Sequence, residues 1–342
     1  MAIAKELFIS QCKPQFGGSN PDRMYMALWE YLVRTGEDAY FARAKLALPN
    51  VLEESGACGV RNPDWCFKRF GMTKTAMPDG RIICIAGEHE DSYDPNFCIY
   101  NDVVVIRPAE GEAWVTKETG SIEIYGYPRE VFRPTDFHSA TLVGNEIFVI
   151  GRLGYGPTED PEPPSTPIYS LDTTTYRMRP VVASGSSPGM IFEHHAEYEP
   201  ATHSILIRGG FTWDSMREPK KQTQHGVYRL FLHDTRWEQI TAHEKHRRFV
   251  FDYDGPYYEA KKSDFLPANV PHRFLLAEER GVWTYEISVS GVRVRFEDLG
   301  PVRAFVEGDL PEETLSKLLS DVATNLGRAT SCEWSVKEVE KF

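Results

Sequence analysis

The sequence predicts a mainly-β protein with helices at its N-terminus and a small α+β element at its C-terminus. Three observations predict it. From about Phe70 onward, short strand-like runs alternate with turn signals. A pattern of strand, tight turn and more apolar strand occurs three times: TKTAMPDGRIICIA at 73–86, HSATLVGNEIFVIG at 138–151 and HAEYEPATHSILIRGG at 195–210. Helical spacing of apolar residues is confined to the two ends of the chain.

At the N-terminus, Asn20 as N-cap and Pro21 at the first helical position predict a helix start. Met24, Ala27, Leu28, Tyr31 and Leu32 then recur on one face, and Gly36 is the stop. A second short helix is expected over Asp38 to Leu46, and 49–64 reads as connection. In the repeats, Asp79-Gly80 and Gly144-Asn145 are hairpin turns. A third strand follows each hairpin at 99–108, 166–173 and 226–234, and a fourth at 121–127, 175–181 and 236–241. Four antiparallel strands per unit, repeated about every 60 residues, predict propeller blades.

The blades resemble kelch repeats. Such a blade opens its first strand on histidine or a similar residue, closes its second on a double glycine and carries an aromatic in its third or fourth. The second unit offers His138, Gly151 followed by Arg152, and Tyr169. The third offers Gly209-Gly210, Tyr228 and Trp237, and the first Thr73 and Ala86-Gly87. The resemblance covers about 65–243. The run from the NPDRM segment through GEHED, IYNDVVV and TDFHSATLVG also resembles a set of bacterial kelch-like proteins. Three recognisable blades are fewer than a closed kelch propeller usually has, and open sheets expose edges. Further strands from the chain ends, the N-terminal helices or a second copy in a homo-oligomer would cover them. HRFLLAEE, VWTYEISVS and VRVRFED, at 272–298, offer a divergent fourth blade.

At the C-terminus, Asp309 and Glu312 predict a capped helix start. Leu315, Leu318, Leu319, Val322 and Leu326 form its apolar stripe, Gly327 its end, and CEWSVKEV a last strand. The expected organisation is thus a helical segment at 1–64, kelch-like blades at 65–243, a connection or divergent blade at 244–283 and an α+β element at 284–342.

A net charge of −12 disfavours a nucleic-acid or anionic-membrane binder. The basic run from Lys245 to Arg248 reads as a solvated loop. The N-terminus lacks the pattern of a signal peptide, and no segment has about 20 consecutive apolar residues. Six cysteines at irregular spacing, with no C-x-x-C pair, predict a reduced, cytoplasmic protein, with Cys84 a small buried hydrophobe.

Repeat geometry gathers polar residues at one rim, because strand one of each unit begins where strand two ends. Glu88, His89, Glu90 and Asp91 follow the first hairpin. Asp136 and His138 open the second unit, His194 and His195 the third, and Arg152 follows the second hairpin. No cofactor is assigned beyond a candidate divalent metal, with His89, His138 and His195 as ligand candidates. His138, His195 and Glu88 are also the candidates for acid–base catalysis. The structural alternative is that the histidines bond the next blade while the acids form turns, as Asp94-Pro95-Asn96 suggests. Asn101-Asp102 is expected to tie the loop down. The stiff acidic loop 152–167 and the loop 211–225, with Trp213 and three cations, project from the same rim. Glu88, His89, Asp91, Asp136, Arg152 and Trp213 are the candidate binding residues. The function expected is a scaffold binding a protein partner at this rim. The alternative is a metal-dependent enzyme of hydrolase or oxidase type.

Overall fold

The computed structural model describes residues 3–51, 62–116, 119–154, 165–213, 221–224, 226–240, 246–256, 272–279, 282–289, 292–298, 301–307 and 310–339. Asp309, Lys245, Cys58 and most of the loops 152–167 and 211–225 lie outside them. The fold is mainly β. The chain divides into two compact units. The first covers residues 1–238 except 208–210 and 225–227, which belong with 239–342 in the second.

The first unit begins with helix α1 (Lys5–Gln11), a two-residue strand β1 (Asp22–Arg23), and helices α2 (Ala27–Thr35) and α3 (Ala39–Lys45). Asn20 does not cap a helix. Its side chain accepts from Met178 N–H at 2.9 Å and donates to Met178 O at 2.7 Å, so Asn20 and Pro21 lead into β1 instead. The first long helix therefore starts at Ala27, later than expected, and Gly36 closes it in the left-handed region. The second forms where expected, capped by Asp38, whose Oδ1 accepts from Tyr40 N–H.

Sheet 1 comprises β2 (Thr73–Ala76), β3 (Ile82–Ile85), β6 (Val103–Arg107) and β7 (Ser121–Gly126), with β1 added beyond β7. A small hairpin, β4 (Glu88–His89) and β5 (Cys98–Ile99), interrupts it. Sheet 2 comprises β8 (Ser139–Val143), β9 (Glu146–Ile150), β10 (Ile168–Asp172) and β11 (Met178–Pro180). The connection that follows contributes β12 (Ser184–Gly185) and β13 (Ile191–Phe192). Sheet 3 comprises β14 (His195–Glu199), β15 (Ser204–Arg208), β18 (Val227–Phe231) and β19 (Arg236–Ile240), with β12 parallel to β19 at its edge. Between them, β16 (Phe211–Trp213) and β17 (Lys221–Thr223) form a three-stranded sheet with β13.

Alternation decides the packing. Ile83, Ile85, Val103 and Val105 face Ile147, Val149, Tyr169 and Leu171 of sheet 2. The intervening Cys84, Val104 and Ile106 face Phe8, Leu28, Trp29 and Leu32 of α1 and α2. Burial on both faces explains why β3 and β6 read as unbroken apolar runs. Phe148, Ile150 and Ile168, on the other side of sheet 2, pack on Ile205, Ile207, Leu230 and Trp237 of sheet 3.

Equivalent contacts join successive sheets. Gly71, Phe137 and Glu193 each stand two residues before a first strand, and each has positive φ (59°, 49° and 52°). Phe137 N–H donates to Gly71 O at 3.0 Å, and Glu193 N–H to Phe137 O at 2.8 Å. Two residues past the second strands, Gly87 N–H donates to Thr135 O at 2.8 Å and Arg152 N–H to Ile191 O at 2.9 Å. Among the described residues the sheets form no closed ring.

The second unit is a six-stranded antiparallel sheet with one helix. Its strands are β20 (His246–Tyr253), β21 (His272–Glu279), β22 (Val282–Val289), β23 (Val292–Asp298), β24 (Val302–Glu307) and β25 (Trp334–Val339), ordered β21-β22-β23-β24-β20-β25. Helix α4 (Glu312–Thr330) buries Leu315, Leu318, Leu319, Val322 and Leu326 against Phe249, Phe251, Phe296 and Val306. The helix runs three residues past Gly327, and its left-handed cap is Ser331. The boundary expected at 283/284 falls inside β22, because β20 is the central neighbour of β24 and β25. Residues 272–298 therefore belong to the α+β element rather than to a separate blade. Arg247, read as part of a solvated loop, lies in β20 and pairs with Glu338 of β25 and with Glu312 of α4. Among the described residues no helix is long and apolar enough to cross a membrane.

Gly17 shows how tightly the N-terminal segment is laced to sheet 1. Its N–H donates to Tyr127 O at 3.2 Å, and a Cβ there would lie 2.4 Å from the Gly126 carbonyl carbon. Gly17→Ala is expected to destabilise the protein by about 1–3 kcal/mol, read as a lower urea midpoint.

Candidate functional site

At the end of sheet 1 where β3 gives way to β4, two groups of polar side chains come together. The first contains three of the six expected binding residues, Glu88, Asp136 and Arg152. Asp136 is wholly buried, and its Oδ1 accepts from Gly154 N–H at 2.9 Å. Burial pushes the Asp136 carboxyl up, opposed by the Gly154 N–H, the Arg152 charge and Glu88. Arg152 donates from Nη1 to Pro134 O at 3.1 Å, and burial pushes its guanidinium down. Glu88, Asp136 and Arg152 are 5%, 0% and 2% exposed. These three tie the start of the 152–154 turn to the segment before β8, beneath the surface and out of reach of a partner. Asp91 is exposed at this end, and Trp213 is half-buried in β16.

The histidines occupy equivalent places. His138 Nε2 lies 2.8 Å from Thr73 Oγ1, and His194 Nε2 lies 2.8 Å from Ser139 Oγ. Each therefore joins the start of one sheet to the first strand of the sheet before it. The partner in each case is a side-chain hydroxyl. His194, not His195, is the counterpart of His138. His195 is the first residue of β14 and is half-buried. Burial pushes both His138 and His194 down to about 3.

The second group was hidden in the sequence. Asp38, Cys66 and His89 bring one donor atom each to within 4.8 Å of one another. Among the described residues no other group of three or more His, Cys, Asp and Glu donors is so close, so His138 and His195 join no such cluster. Each member is held by a different device. Asp38 is placed by α3, which the buried Arg43 fixes through two bonds to Asp64, Nε to Oδ2 at 2.7 Å and Nη2 to Oδ1 at 2.9 Å. The same segment, 62–66, carries Trp65, stacked on Trp29 with ring centroids 4.6 Å apart. Trp65 Nε1 donates to Asp102 Oδ2 at 2.7 Å, and Cys66 N–H donates to Tyr100 Oη at 3.1 Å. Asp102 also holds Arg69, whose Nε donates to Cys66 O. His89 sits in the β4–β5 hairpin opposite Cys98.

His89 Nδ1 lies 3.0 Å from Lys68 O. A carbonyl only accepts, so Nδ1 carries a proton, and in the neutral ring Nε2 then presents a lone pair. Nε2 is buried and makes no hydrogen bond. Its nearest acids are Glu90 Oε1 at 3.3 Å and Asp38 Oδ2 at 3.9 Å. Burial, then the Asp38 charge, pushes the Cys66 thiol up, while a bond from the Ala39 backbone opposes this. Of this group the sequence singled out only His89 as a ligand candidate. Asp38 reads only as the start of a short helix and Cys66 as one irregular cysteine, and nothing in the spacing 38, 66 and 89 links them.

The loop between β4 and β5 is ordered by its own turn. Asp94 Oδ1 accepts from Asn96 N–H at 2.7 Å, and Asn96 Oδ1 accepts from Asp64 N–H at 2.6 Å. Asn101 donates to Tyr127 O and Phe132 O, tying the loop down as expected. A groove of about 350 Å³ lies between this loop and α3, lined by Tyr40, Asn50, Glu90 and Asp94 among others. Compared with known proteins, the chain matches no family model, and no curated protein matches it.

The buried histidines make stability depend on pH. Their folded pKa of about 3 lies below the ordinary value of 6.5, so the unfolded chain binds more protons between those values. The stability they contribute is fully present above pH 6.5 and is lost as pH falls toward 3. The loss is on the order of 3–5 kcal/mol per histidine. Asp136, pushed up, acts in the opposite sense. Urea midpoints from pH 7 to 4.5 should therefore fall in the wild type and fall less steeply in His138→Gln.

Proposed function

We propose that the chain is a kelch-like blade array that works as a cytoplasmic scaffold and binds a protein partner at the end of sheet 1. The blade reading is supported by the recurrence of one set of backbone contacts and positive-φ residues at matching places before and after three hairpins. The paired His138–Thr73 and His194–Ser139 bonds extend the same repeat to side chains. In this reading α1 and α2 take the place of a neighbouring blade on sheet 1.

The binding reading rests on exposed aromatics. Tyr93, in the β4–β5 loop, is 83% exposed, and Phe70, bridged to Glu88, is 63% exposed. Tyr40 and Phe41 on α3 are also exposed. Aromatic side chains set on a rigid hairpin and helix, with Asp91 and Glu90 around them, have the composition of an interface core with a polar rim. The buried Glu88, Asp136 and Arg152 then act as the support of that surface. The enzyme alternative built on His138, His195 and Glu88 has less in its favour, since Thr73 occupies the Nε2 of His138.

A photo-crosslinking residue at position 93, introduced in cells, should trap one predominant protein. Against that protein, purified, Phe70→Ala with Tyr93→Ala should weaken binding by about thirtyfold, the ~2 kcal/mol of a hot spot. Unchanged affinity of the double variant would place the contact elsewhere.

A further inference from the structure

We propose that Asp38, Cys66 and His89 form a zinc site, with Glu90 beside its fourth position. The donor set fits this ion. A thiolate, an imidazole nitrogen and a carboxylate oxygen are the ligand types zinc takes in tetrahedral sites. Bonds of about 2.0–2.3 Å place the ligand atoms of such a site roughly 3.3–3.8 Å apart. The three donor atoms lie within 4.8 Å of one another, and His89 Nε2 and Asp38 Oδ2 are 3.9 Å apart. Side-chain movements that bring the outermost pair about 1–1.5 Å closer close the set.

The second, independent observation is the state of His89. Its side chain is only 6% exposed, and Nε2 is buried without a hydrogen bond. An unmade bond at a buried polar atom calls for a partner. Nδ1 is committed to Lys68 O, the arrangement that fixes the tautomer of a metal-bound histidine and aims its other nitrogen at the ion. Asp38 is prepared in the same way. Its Oδ1 caps α3 through Tyr40 N–H, and Oδ2 is the oxygen turned toward His89. Cys66 is fully buried and held on both sides of its peptide, by Tyr100 Oη and by Arg69.

Zinc binding converts the Cys66 thiol to thiolate, and the proton leaves to solvent. The charge of the ion is then balanced by one thiolate and one carboxylate. Glu90, 3.3 Å from Nε2, can supply the fourth ligand or a hydrogen bond to a water that does. Glu90 also lines the groove beside α3, so the fourth position adjoins a space that admits small molecules. The proposal does not depend on the scaffold reading. It joins three separate segments, the α3 cap, the 62–66 segment and the β4–β5 hairpin, and so makes the hairpin's position responsive to zinc.

The test uses the full chain, stripped with a chelator, loaded with zinc and dialysed, with metal measured by elemental mass spectrometry. One zinc per wild-type chain is expected. His89→Ala and Asp38→Asn should each hold less than about a fifth of that, with unchanged circular dichroism. Asp38→Asn keeps an oxygen for the α3 cap, so its loss of metal reads on ligation rather than folding. Cobalt substituted for zinc should give a thiolate-to-metal charge-transfer band in the wild type, absent in Cys66→Ser. No zinc retained by the wild type overturns the proposal, as does full retention by Asp38→Asn and His89→Ala. Bound cobalt without the charge-transfer band removes Cys66 from the site and overturns it as drawn.

Discussion

Sheet 1 is obliged to bury both of its faces, and most of the first unit follows from that. Cys84, Val104 and Ile106 on one side and Ile83, Val103 and Val105 on the other leave no surface of the central strands fit for water. At about 25 cal/mol per Å² of apolar surface, neither face can be left uncovered in a protein of ordinary stability. Sheet 2 covers one face by repeating the same architecture. The other is covered by α1 and α2, whose Leu28, Trp29 and Leu32 supply the complementary stripe. The N-terminal helices are therefore part of the same core as the strands.

That docking creates a need for polar order at the end of the sheet. The chain must turn from the helices to β2 through 62–72 while keeping its backbone groups paired. Arg43 with Asp64 and Arg69 with Asp102 do this inside the protein, each pair buried and each further bonded to backbone or to Trp65. Such pairs gain little net stability over an apolar core, but losing one partner strands the other charge. They specify where 62–66 lies relative to α3 and β4. The convergence of Asp38, Cys66 and His89 is a by-product of that specification.

The strands were legible because their cause is local. Alternation, Asp79-Gly80 and Gly144-Asn145 locate β2, β3, β8 and β9 to within a residue or so. The helix start at Asn20 misled because a cap and a following proline are also the signature of an extended turn. What separates the two is Met178, a residue 158 positions away. The division at 283/284 failed for the same reason, since the pairing of β20 with β24 and β25 is long-range. The rim was found from repeat geometry, which placed Glu88, Asp136 and Arg152 together. Their burial was not legible, because charged side chains read as surface unless their partners are known. Cys66 and Asp38 carry no spacing signal at all.

The grip of Asn20 on Met178 bears on how the protein is made. The two bonds cannot form until residue 178 has left the ribosome, and the pairing of β1 with β7 must wait for residues 125 and 126. The segment around Asn20 is thus secured only after sheets 1 and 2 have been made. Until residues 73–126 have emerged the apolar stripe of α2 has no sheet to lie on, and the nascent chain presents Leu28, Trp29 and Leu32 to whatever meets it first. A ribosome-associated chaperone that recognises apolar helical stretches would find its binding site on α2, and would be displaced only when sheet 1 is complete.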